Sequence, residues 1–161
     1  MDGAVSALDL TSRSGYRAFL RAQAGALDAI APTCARLTEL PSLSRLRPLL
    51  TLDMATIGAA PAPRLDAPVG LHPMGAYYVV AGSRLGAQVL ARRVAESGDK
   101  TVRAATRYLA DRRALDAWRA WLAASEAVTE NADAIVEGAE ATFALYERAL
   151  AAVLEEVPEH A

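Results

Sequence analysis

Hydrophobic positions along the chain recur at helical spacing, and few stretches alternate as strands do. Tyr16, Phe19, Leu20, Gln23 and Leu27 fall on one face of a helix that Thr11 or Ser12 can cap. Pro32 is expected to kink or restart it, with Cys34, Leu37 and Leu40 carrying an apolar face on towards Pro41. Before it, residues 2–10 have room for little more than two helical turns. A further helix is expected over residues 44–57, with Pro48 in its first turn and Gly58 ending it. Residues 59–73 hold Pro61, Pro63, Pro68, Gly70 and Pro73 and predict a surface loop.

Residues 74–97 then predict a long helix stopping at Gly98. Thr101 is expected to cap a short one running through Tyr108, and Leu115, Trp118, Trp121 and Leu122 mark another. The last helix, residues 129–156, has the clearest seam. Val136, Ala139, Phe143, Tyr146, Leu150, Val153 and Val157 alternate spacings of three and four, with Glu137, Glu140, Glu147 and Glu155 off that line. No internal repeat or second domain is evident. The pattern predicts one compact all-α domain, residues 1–161, of six or seven helices.

The helix over 74–97 breaks a local rule. It carries Gly75, Gly82 and Gly86, each costing about 1 kcal/mol against alanine in a helix interior. Seven and four residues apart, they share a face with Val79. A face stripped of side chains admits another helix or a flat ligand, and Gly82-Ser83-Arg84-Leu85-Gly86 does not by its spacing decide between them.

Composition narrows the function classes. The 161 residues are only 6% aromatic, and the net charge is −2. That charge is unevenly spread. Arg84, Arg92, Arg93, Lys100, Arg103, Arg107, Arg112, Arg113 and Arg119 make the middle basic, whereas Arg148 is the only arginine or lysine from Glu126 to Glu159. This suits a small anionic ligand or an acidic partner better than nucleic acid. Cys34 is the lone cysteine, no apolar run nears the length of a membrane span, and Met1-Asp2-Gly3-Ala4 does not open like a signal peptide, so a cytoplasmic protein is expected.

Generic catalytic patterns are thin. His72 and His160 have no metal-ligand spacing, so no metal site is expected from them. Cys34 lacks a nearby activating group and predicts a buried thiol. Tyr77, Tyr78, Met54 and Met74 are ligands by residue type only, and read as core.

The stretch Gly75-Ala76-Tyr77-Tyr78-Val79-Val80-Ala81-Gly82-Ser83-Arg84-Leu85-Gly86, followed by Val89-Leu90-Ala91-Arg92-Arg93, resembles the distal-helix signature of bacterial biliverdin-producing heme oxygenases. The segment from Asp9 to Leu20 is similar to the one after that family's first helix. Arg47-Pro48-Leu49-Leu50-Thr51-Leu52-Asp53-Met54, Trp118 and Ala141-Thr142-Phe143 agree more weakly with its later helices.

The resemblance implies a heme oxygenase-like helical domain in which heme lies between a proximal helix bearing an iron-binding histidine and a distal glycine helix. It implies O2-dependent cleavage of heme, at once substrate and cofactor, to biliverdin, CO and ferrous iron. Electrons would come from a reductase or ferredoxin, and the family's links extend to a bilin-using photoreceptor. On this reading Gly75, Val79, Gly82, Ser83 and Gly86 bind heme, while Arg103, Arg107 and Tyr108 are candidates for its propionates.

There are two departures. Ala81 stands where the signature carries a glutamate, and no residue matches the proximal histidine, whose place falls before Met1. His72 is no substitute: ten residues from Gly82, it lies about 15 Å away along a helix and on the distal side. No catalytic residue is therefore assigned. The alternatives are a heme or bilin carrier without catalysis and a helical interaction module without cofactor.

Overall fold

Ser12 sets the start of the first helix. Its hydroxyl accepts the Gly15 N–H at 3.1 Å and donates to the Asp9 carbonyl at 2.8 Å, closing a tight N-terminal turn. The computed structural model describes residues 7–128 and 130–156. Within them lie seven helices: α1 (Arg13–Cys34), α2 (Leu46–Ile57), α3 (Pro73–Ala95), α4 (Lys100–Ala104), α5 (Arg107–Ala110), α6 (Leu115–Glu126) and α7 (Ala132–Glu155). They pack as an all-α, compact helical domain.

Helix α1 is the axis of the core. From Ala18 to Leu27 every residue is buried, so the helix is enclosed rather than one-sided. Alanine and glycine make this possible, because small residues let neighbours close in from several directions. At Gly25 the loop preceding α3 passes so near that an added Cβ would sit 2.7 Å from the Pro63 carbonyl oxygen. Helix α7 packs along both α1 and α3, and α2 covers another side of α1.

Several elements fall where the pattern puts them. Gly58 ends α2 with φ of 66°, and the Ala59 N–H reaches back to the Met54 carbonyl at 2.9 Å. Residues 59–72 form no helix or strand. Other boundaries shift. Residues 7–10 are turn and bend, and the rest of the expected first helix, residues 2–6, lies outside the described residues. Pro32 does not restart α1; it sits in the last turn, and the helix ends at Cys34 instead of running on to Pro41. The start of the last helix moves to Ala132, with Asn131 in the left-handed region at φ of 65°, while Thr129 and Val157 lie outside the described residues.

The region after α3 departs most from expectation. Asp99, not Thr101, caps α4, its carboxylate accepting the Thr101 N–H at 2.8 Å. The single helix expected through Tyr108 is two, broken at Ala105 and Thr106. The break has a tertiary cause. Asp53 of α2, completely buried, accepts the N–H groups of Arg107 and Tyr108 at 3.1 and 2.8 Å, capping α5 from another helix. The Tyr16 hydroxyl meanwhile donates to the Ala105 carbonyl, taking up an acceptor that a continuous helix would have used.

Candidate functional site

The three glycines of α3 have three different surroundings. A Cβ on Gly75 would lie 2.4 Å from the Ile135 carbonyl oxygen and 2.6 Å from the Ala139 nitrogen, so Gly75 lets α3 and α7 touch backbone to backbone. A Cβ on Gly82 would come 3.2 Å from the Trp118 ring. One on Gly86 would meet nothing within 4 Å. The stripe thus begins as a helix–helix contact, passes an indole and opens into space.

That space is a cleft of about 770 Å³, within the size range of small-molecule and cofactor sites. Helix α3 lines it with Val79, Gly82, Ser83, Arg84, Gly86 and Leu90. Phe19 and Gln23 of α1, Leu109 of α5, Trp118 of α6 and Phe143 of α7 supply other parts of the lining. Five helices therefore converge on one largely apolar chamber with a wall that lacks side chains at two positions.

An aromatic cluster flanks it. The indoles of Trp118 and Trp121 stack at 5.8 Å and 8°, and Tyr78 lies 5.6 and 4.9 Å from them. Trp121 is fixed by its N–H, which donates to the Met74 carbonyl at 3.0 Å. This ties α6 to α3 beside the cleft.

Of the residues singled out in the sequence, Val79, Gly82, Ser83 and Gly86 meet at the cleft. The Ser83 hydroxyl donates to the Val80 carbonyl at 2.6 Å. Gly75 lies in the α3–α7 contact instead. Neither arginine proposed for anions lines the cleft. Arg103 donates to the Ser97 carbonyl at 2.5 Å, and Arg107 to Asp53 and Thr56 at 3.3 and 3.1 Å. Tyr108 sits behind the wall, buried, its hydroxyl donating to Gln23 Oε1 at 2.9 Å.

Two arginines line the cleft, Arg93, which is exposed, and Arg84, which is only 3% exposed. The Arg84 guanidinium lies 4.2 Å from the centre of the Tyr108 ring, and Nη1 donates to the Tyr108 carbonyl at 2.8 Å. Burial raises the pKa of the Tyr108 and Tyr146 phenols, while the positive charge of Arg84 pulls both the other way. A signal for this residue exists in the sequence: Arg84 is four residues from Val80 and three from Ala87, a lone charge on the buried face of α3.

The remaining candidates are structural. His72 caps α3, with Nδ1 accepting the Met74 N–H at 3.2 Å. Tyr77 donates to the Pro41 carbonyl at 2.8 Å, Cys34, Met54 and Met74 are buried, and His160 lies outside the described residues. Among the described residues no His, Cys or Met side chain lines the cleft, and no cluster of three or more His, Cys, Asp and Glu could hold a metal ion. Among the described residues no helix is long and apolar enough to cross a membrane.

No protein-family model, curated protein or solved structure matches this chain.

Proposed function

We propose that this protein binds a tetrapyrrole of the heme class in the cleft beside α3. The observation that carries the reading is the wall of α3, open at Gly86 and covered at Gly82 by the Trp118 indole alone, in a largely apolar cleft of about 770 Å³. A planar apolar ring gains contact area against backbone where a side chain would hold it off. Trp118, Phe19 and Phe143 add apolar surface to be buried with it.

The resemblance to biliverdin-producing heme oxygenases extends this from binding to reaction. On that reading heme is both substrate and cofactor, its iron supplying the oxygen-activating centre, with a reductase or ferredoxin as electron donor. The part played by this chain's described residues is to seat the ring and exclude bulk water from α3's side of it. A non-catalytic heme or bilin carrier is the second reading, favoured by a lining in which the described residues place no histidine.

Hemin titration followed by absorbance in the Soret region tests the binding. Addition of a reductant, a ferredoxin system and O2 then tests the reaction. A saturable one-to-one complex that converts to a biliverdin spectrum supports the enzyme, and a stable unconverted complex supports the carrier. No complex at all leaves a helical interaction module without cofactor.

A further inference from the structure

Arg84 is a buried cation to which the described residues supply no counter-ion. It is 3% exposed, and among the described residues no carboxylate forms an ion pair with it. Only Nη1 of its three nitrogens donates to a protein acceptor, and Nε is buried with no partner. Burying a guanidinium this way is costly, since a charge removed from water needs both an opposite charge and full hydrogen bonding to recover its solvation. The ring of Tyr108 and one carbonyl recover part of it. Other arginines differ: the half-buried Arg45 grips Asp111 through two nitrogens at 3.0 and 3.2 Å, and the buried Arg21 pairs with Glu156. Arg93 also lines the cleft but is exposed to water, so Arg84 is the lining arginine that is buried with no anion among the described residues.

We propose that Arg84 is the anchor for a ligand carboxylate drawn into the cleft, so that the site takes an apolar body carrying an acid group. The inference rests on the reading of the cleft as a ligand site. It adds where the ligand's charge goes: to the buried guanidinium on α3 and not to Arg103 or Arg107, which are engaged elsewhere. A carboxylate matches the guanidinium edge geometrically and supplies the missing charge. Tetrapyrrole propionates and fatty acids share that chemistry, and the test separates them.

Protoporphyrin IX, free of iron and so independent of any axial ligand, is titrated against its dimethyl ester, with tryptophan fluorescence as the readout. Oleate is titrated by calorimetry. Each is measured on the wild type, Arg84→Met and Arg84→Lys, with helical circular dichroism checking the fold. The wild type is expected to bind the diacid at least about tenfold more tightly than the diester. Arg84→Met should weaken the diacid roughly 10- to 100-fold and remove the preference, with Arg84→Lys between the two.

Equal wild-type affinity for diacid and diester overturns the proposal without recourse to a variant. A preference that survives in folded Arg84→Met overturns it too, while leaving tetrapyrrole binding intact. Oleate binding that depends on Arg84, with neither porphyrin bound, upholds the anchor and removes the tetrapyrrole reading. If none of the three binds, both fall.

Discussion

Replacing Gly86 by leucine separates what is good for the helix from what is good for the cleft. Gly86 lies inside α3, where glycine costs about 0.8–1 kcal/mol relative to alanine and leucine costs little. A Cβ there meets no atom within 4 Å, so no steric penalty offsets the gain. Gly86→Leu should therefore stabilise the protein by about 0.5–1 kcal/mol, raising Tm by roughly 1–4 °C for a chain of this size. The same side chain stands on the bare wall of the cleft. If a flat ligand rests there, displacing it should cost what overpacking a filled site costs, about 1–3 kcal/mol, or roughly 5- to 150-fold in affinity. Thermal melts followed by circular dichroism give the first quantity and hemin titration the second. The expected result is a more stable protein that binds more weakly. A Gly86→Leu variant that is more stable and binds hemin as tightly as the wild type would refute the glycine wall.

Gly75→Ala should do the reverse in stability: its methyl would sit 2.4 Å from the Ile135 carbonyl, forcing α3 and α7 apart, and a loss of about 1–3 kcal/mol is expected in urea unfolding. Asp53→Ala strips the N–H groups of Arg107 and Tyr108 of their acceptor and should cost about 2–4 kcal/mol, with Asp53→Asn costing less because an amide oxygen can still accept. Burial pushes the Cys34 thiol from 9.0 up to about 11, so its alkylation at pH 8 should be about a hundredfold slower in the folded than in the denatured chain. The sign of the linked pH effect follows: the folded state holds the thiol proton that the unfolded chain gives up, so this contribution to stability is lost as pH rises from 9 towards 11.

Helices that bury one regular stripe were legible in the sequence. The α7 seam is an instance, with Ala139, Tyr146, Leu150 and Val153 all buried, although Val136 at its start is 56% exposed. The break between α4 and α5 was not legible, because its cause is Asp53, more than fifty positions away, capping a helix that local propensity would have continued. The glycine stripe was visible as an anomaly but not as three separate contacts. Spacing tells which residues share a face, whereas α7, Trp118 and open space lie along that face only in the fold.

The candidate arginines show the same limit. Arg103 and Arg107 looked available as charges in a basic stretch, yet the carbonyl of Ser97 and the carboxylate of Asp53 hold them. Arg84 was the more informative residue, since a single arginine on the face shared by Val80, Ala81 and Ala87 has to be buried if that face is. Its missing counter-ion could be seen only once the surrounding helices were in place.

The tetrapyrrole site proposed is the cleft beside Gly82 and Gly86. A crystal structure of the protein with one equivalent of hemin tests it most directly. The macrocycle is expected to lie against the backbone of α3 at Gly82 and Gly86, in contact with Trp118 and Phe143. A hemin bound elsewhere on the molecule, with the cleft empty, would contradict it.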